Sequence, residues 1–227
     1  MNHMKPAFLL AGGRSDNPKS MVPMLAKALG ECGRERPAVA YIGAANDDNL
    51  LFYESHKLLL KQAGAGKVAI VRLAKDTADA GFARAQLGEA DAVFLSGGEV
   101  EDGMRRLQRH GLDSYLKELR GQGKLFIGIS AGSIMMGAHW VHWDVPEDDA
   151  TASLFDCLGF APVTFDTHAE DENWKELVLA LKLQGSGARG YGIPRGGMIS
   201  IDGQGRPAEL EKSLLPYVNE SGRVRRV

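Results

Sequence analysis

Short, continuous apolar runs alternate with longer amphipathic stretches through the first part of the chain. The runs are Ala7-Phe8-Leu9-Leu10, Ala38-Val39-Ala40-Tyr41-Ile42, Val68-Ala69-Ile70-Val71, Ala92-Val93-Phe94-Leu95 and Leu125-Phe126-Ile127-Gly128-Ile129. A strand covered on both faces has no polar side, so each run predicts an inner strand of a parallel sheet. Between them apolar residues recur at helical spacing, as in Leu50-Leu51 with Leu58-Leu59-Leu60, and in Leu112, Tyr115, Leu116 and Leu119. Strand and helix in alternation predict βαβ units, hence a three-layer α/β fold whose mostly parallel sheet carries helices on both faces. Functional groups then gather on loops at the carboxyl ends of the strands, where Ala11-Gly12-Gly13, Ser96-Gly97-Gly98 and Ser130-Ala131-Gly132 stand out. Beyond Asp144 the pattern is less regular, with a helix predicted over 174–183 and a late strand over Met198–Ile201. No repeat or low-complexity linker interrupts the chain. A single domain over residues 1–227 is expected, with residues 1–5 disordered and those from about Trp140 onward decorating the sheet.

Composition narrows the partners. With 227 residues, 44% of them hydrophobic, the chain is long enough to bury about 70% of its extended surface without disulfides or a structural metal. Lys plus Arg (27) nearly balance Asp plus Glu (29), which leaves no overall charge to attract nucleic acid or an anionic membrane. Cys32 and Cys157 have neither metal-ligand spacing nor the look of a disulfide framework, so a reducing cytoplasm fits. No apolar run approaches the ~20 residues of a membrane span, and Met1-Asn2-His3-Met4-Lys5 lacks a secretory apolar core.

Gly128-Ile129-Ser130-Ala131-Gly132 has the form G-x-S-x-G, preceded by a predicted strand and followed by a stretch, 131–136, able to open a helix. That is the setting of a nucleophile elbow, in which small neighbours let the serine adopt a strained backbone and project its Oγ. The plain alternative is a tight turn with a capping serine. A nucleophile needs a base, and six histidines compete. His3 lies in the tail, while His56 and His110 fall on charged helical stretches and are expected to be solvated. His139 and His142 flank Trp140 and Trp143 in a segment placed to lie over the site. His168 closes Phe165-Asp166-Thr167-His168, an expected strand end, and is preferred. An oxyanion hole needs two backbone donors; the Ala131 amide is one candidate, and Ser96-Gly97-Gly98 offers a second unless its glycines merely make a turn. Neither phosphate-binding glycine motif is present.

The order of strand, Ser-Gly-Gly, helix, strand and Gly-Ile-Ser-Ala-Gly-Ser resembles the serine peptidases that include aspartyl dipeptidase (peptidase E) and cyanophycinase, built on the class I glutamine-amidotransferase-like, flavodoxin-like fold. The likeness runs from residue 7 to about 201 and is most specific over 93–98 and 125–133. It implies Ser130 as nucleophile, His168 as general base, and Gly98 and Ala131 as oxyanion donors. It also points to Asp144, fourteen positions after Ser130, as the acid that orients the histidine; Asp166, which strand geometry puts on the same side as His168, is a local option. Gly97, Glu99 and Arg195 are the expected substrate-binding residues. Where the family carries an acid after Gly-Ile, this chain has Gly192-Ile193-Pro194-Arg195. His168 is followed by Ala169-Glu170-Asp171-Glu172, and Gly98 by Glu99-Val100, where the family has basic and small polar residues.

The expected activity is that of a serine-type peptidase or amide hydrolase cleaving small peptides through an acyl-enzyme, without metal or organic cofactor; a homodimer is left open. Glu170, Asp171 and Glu172 argue against a strict aspartyl dipeptidase and for neutral or cationic amino-terminal residues. Two alternatives stand beside it. One is a weakly active or inactive binding protein on the amidotransferase-like scaffold. The other is an α/β-hydrolase-type esterase, whose chain order Ser130, Asp144 and His168 also satisfy, although no histidine follows His168.

Overall fold

The computed structural model describes residues 4–12, 17–146, 148–212 and 214–227. Gly13 of the first predicted loop and residues 1–3 lie outside them. In chain order the elements are β1 (Ala7–Leu10), α1 (Met21–Gly30), β2 (Val39–Ile42), α2 (Leu50–Gln62), β3 (Val68–Val71), α3 (Ala80–Glu89), β4 (Ala92–Leu95), α4 (Val100–Arg109), α5 (Leu112–Gly121), β5 (Leu125–Ile129) and α6 (Ala131–Ile134). They continue with β6 (His139–Trp143), β7 (Ala152–Asp156), β8 (Thr164–Thr167), α7 (Lys175–Gln184), β9 (Arg189–Ile193), β10 (Met198–Ile201), β11 (Pro207–Glu211), β12 (Leu215–Glu220) and β13 (Arg223–Arg226).

The main sheet has the order β11-β10-β1-β5-β4-β2-β3. Pairings from β1 through β5, β4 and β2 to β3 are parallel, whereas β10 and β11 add an antiparallel edge. The five apolar runs are these parallel strands, and their alternation sorts side chains between two cores. Ala7, Leu9, Ala40, Ile42, Val93, Leu95 and Phe126 pack with residues of α3, α4, α5 and α6 on one face. Phe8, Leu10, Val39, Tyr41, Ala92, Phe94 and Ile127 pack with α1 and α2 on the other. Burying each large side chain in this way contributes about 1.5–3 kcal/mol, so loss of the period-two sorting would cost most of the core.

Residues beyond Trp140 do more than decorate this sheet. They form a second sheet, β13-β12-β9-β8, and a β6-β7 hairpin. The predicted helix over 174–183 is α7 and the late strand is β10, antiparallel to β1. Lys5, expected in a disordered tail, is held instead: its Nζ donates to the Cys32 carbonyl at 3.1 Å, and its own carbonyl accepts from Arg120. Among the described residues no helix is long and apolar enough to cross a membrane.

Candidate active site

β5 ends beside the carboxyl ends of β1 and β4, and Ser130 is its next residue. Ser130 takes φ 52° and ψ −123°, a region L side chains rarely occupy, while its amide donates to the Leu10 carbonyl at 2.9 Å. Both glycines of the motif are required by close packing. A Cβ at 132 would collide with the Leu95 carbonyl, and one at 128 would stand 2.6 Å from the Gly132 carbonyl. The helix expected over 131–136 is one turn, Ala131–Ile134.

The second sheet delivers the partner. His168 follows β8 with φ 48°, its amide donates to the Ile193 carbonyl at the end of β9, and its Nε2 lies 2.8 Å from Ser130 Oγ. This is hydrogen-bond distance, the reach that a serine nucleophile and its base require. The rival histidines are engaged elsewhere: His139 Nδ1 with Asp156 at 3.0 Å, and His142 Nδ1 with Glu101 at 2.7 Å.

Asp144 does not orient His168. Its carboxylate pairs with His142 Nε2 at 3.2 Å, and its side chain is 77% exposed. Two residues apart at the end of an extended strand, Asp144 and His142 project to the same side, so the nearer imidazole captures the acid. Asp166 lines the same cavity as His168 but is not hydrogen-bonded to it. Among the described residues the second ring nitrogen of His168 makes no hydrogen bond, leaving a Ser–His pair rather than a triad.

Gly98 and Ala131 both border Ser130, and neither amide donates to another described residue. Gly98 has φ 140°, and a Cβ there would collide with the Ala45 carbonyl. A glycine is therefore needed for the backbone to pass so close to Ala45, and a Cβ at Gly97 would stand 3.2 Å from Ser130 Cβ. The loop is braced from below. Ser96 Oγ accepts from Tyr41 Oη at 2.7 Å and from Asn46 Nδ2 at 2.9 Å, and Asn46 Nδ2 also donates to the Gly97 carbonyl at 2.7 Å. This brace has no local signal, since its partners are 50 to 55 residues apart.

Two cavities meet at Ser130 and His168. One, of about 330 Å³, is walled by Glu99, Asp166, Glu172, Glu176, Trp140 and Trp143. The other, of about 440 Å³, is lined by Ala11, Phe52, His56, Gly97, Ile129 and Arg195. His56 was expected to be solvated, yet its ring packs against Phe94 and Tyr41 and burial pushes its pKa down. His110, expected to be solvated as well, is half-buried with Nε2 3.1 Å from the Leu73 carbonyl. Of the three acids after His168, Glu170 accepts from the Arg195 amide at 2.6 Å and Asp171 lies 3.9 Å from its guanidinium; only Glu172 faces the first cavity.

The family model of peptidase family S51 matches residues 7–207. Among solved structures, a candidate peptidase E from Listeria monocytogenes EGD-e is similar at 22% identity with a TM-score of 0.69, covering 92% of this chain and 100% of that one. A peptidase from an acI-B1 actinobacterium is similar at 15% identity with a TM-score of 0.71, covering 100% and 95%. No curated protein matches. The family match sets aside the α/β-hydrolase esterase. With its elbow serine, its histidine partner and a match over most of its length, the chain belongs to peptidase family S51.

Proposed function

We propose that this protein hydrolyses small peptides or amides through an acyl-enzyme, with Ser130 as nucleophile and His168 acting alone as its base. The observation that carries this reading is the 2.8 Å approach of Ser130 Oγ to His168 Nε2 at a strained elbow. In the first step Oγ attacks the scissile carbonyl carbon, its proton passes to Nε2, and the oxyanion is held by the amides of Gly98 and Ala131. Collapse expels the amine with the proton that His168 carries. Water, deprotonated by the same imidazole, then attacks the ester, releases the carboxylic acid and restores the Ser130 hydroxyl. With no acid behind it among the described residues, the imidazolium is stabilised less than in a full triad, so a slower enzyme is expected. In this reading Arg195, which lines the larger cavity with a side chain 43% exposed, meets the terminal carboxylate of a short peptide. The test is a dipeptide library followed by mass spectrometry, with Ser130→Ala as control and rapid acid quenching to trap the ester: cleavage by wild type alone, with an acyl adduct on Ser130, is expected, and cleavage that survives in the variant would overturn the reading.

A further inference from the structure

The charges around Ser130 are unevenly shared between its two cavities. Glu99, Asp166, Glu172 and Glu176 converge on the smaller one, and among the described residues no lysine or arginine lines it. Lys175 stands in an adjoining outer hollow with Glu101, Glu172 and Glu176. Asp166 is the unusual member. It is 3% exposed; one carboxylate oxygen accepts the Thr167 amide at 2.7 Å, and the other has no partner in hydrogen-bond geometry. Thr167 Oγ1, in the same wall and also buried, is unpartnered too.

Buried carboxylates are normally paired, because desolvation without a counter-charge is costly. Here burial, reinforced by Glu176 and Glu172 and opposed by the amides of Thr167 and Leu177, raises the Asp166 carboxyl to about 7. Burial likewise raises Glu176, with Glu172 and Glu99 adding to it. An arriving cationic nitrogen would supply the hydrogen-bond donors and the charge that these groups lack. The indoles of Trp140 and Trp143 bring apolar, electron-rich surface to the same cavity, which suits an ammonium or guanidinium. Across Ser130 the larger cavity differs in kind, with Phe52 and Ile129 in its wall.

We infer that a substrate lies across Ser130 with a cationic nitrogen of its amino-terminal residue in the Asp166 cavity and an apolar residue in the Phe52 cavity. This rests on the hydrolase reading above and names its substrate class. The cation is either the free α-ammonium or a lysine or arginine side chain, and both present the same donors.

The experiment compares dipeptides on the wild-type protein. Lys-Leu against norleucyl-Leu isolates the side chain, Leu-Leu against N-acetyl-Leu-Leu isolates the α-ammonium, and Asp-Leu supplies the repelled case. In at least one of the first two pairs the cation should raise kcat/KM about tenfold or more, mainly through KM, with Asp-Leu the poorest substrate. Asp166→Asn and, separately, Glu176→Gln should shrink that ratio to within about threefold, so the claim stays testable if one variant fails to fold. Ratios near one in both pairs, or a preference for Asp-Leu, would overturn it. Titrating Lys-Leu and norleucyl-Leu into Ser130→Ala protein separates this claim from the hydrolase reading. Tighter binding of the cation without turnover in wild type would sink only the latter, and equal binding within that pair and also within Leu-Leu and N-acetyl-Leu-Leu, titrated in the same way, would sink the cavity assignment.

Discussion

Ser130 and His168 meet side chain to side chain at 2.8 Å from backbones that both have positive φ, 52° and 48°. Neither is glycine, so each holds a conformation that costs about 1–3 kcal/mol and persists because its surroundings over-determine it. One is fixed by the close approach of Gly132 to the Leu95 carbonyl, the other by the hydrogen bond that the His168 amide donates to the Ile193 carbonyl. A test of stored strain follows. Ser130→Gly and Ser130→Ala both lose the hydroxyl, but only glycine relaxes the dihedral. Urea unfolding should find Ser130→Gly about 1 kcal/mol more stable than Ser130→Ala, whereas an unstrained site would favour alanine.

His168 and Asp144 should separate sharply under mutation. His168→Ala removes both the base and the later acid, and should lower kcat/KM by about 10³ or more on the best dipeptide. Asp144→Asn touches only an exposed pair with His142 and should leave the rate within about threefold. Equal losses in the two variants would return Asp144 to the site.

Gly98→Ala tests the oxyanion loop. The added Cβ would strike the Ala45 carbonyl and push the Gly98 amide away from Ser130. A fall in kcat of about 10²-fold or more is expected, together with a lowered melting temperature. Loss of stability with kcat preserved would mean that this amide does not hold the oxyanion.

Stability should depend on pH through Asp166. Its folded pKa of about 7 lies above the ordinary aspartate value of 3.8, with Glu172, Glu176 and Tyr217 facing it. Between these values the unfolded chain has released the proton that the folded protein keeps. The stability that Asp166 contributes is therefore fully present below pH 4, is lost as pH rises towards and through 7, and then levels off, a fall of up to about 4 kcal/mol. Asp166→Asn should flatten that part of the profile in denaturant titrations at fixed salt; an unchanged slope would contradict the assignment.

The inner strands were legible because both of their faces are covered, which leaves nothing but apolar residues in runs such as Val39–Ile42 and Ala92–Leu95. The second sheet was not. In β9, Gly190 and Gly192 sit where a Cβ would meet Leu177 and Trp174, so that α7 can lie close on the sheet, and glycine at alternate positions erases the strand pattern. The Ser130 elbow is a local motif and declares itself in sequence. His168 could be placed only as a strand end, and Asp144 by spacing alone, which says nothing about the nearer imidazole of His142. Tyr41, Asn46, His56 and Asp166 act through contacts distant in sequence. His56 in particular sits on a charged helix whose inner face packs against Phe94.

The central claim is that Ser130 is a nucleophile activated by His168. Treatment with a fluorophosphonate followed by peptide mapping tests it most directly. A single adduct on Ser130 is expected, formed in wild type, absent in Ser130→Ala and slowed about a hundredfold or more in His168→Ala. A folded protein whose Ser130 stays unlabelled, or is labelled equally fast without His168, would contradict the account.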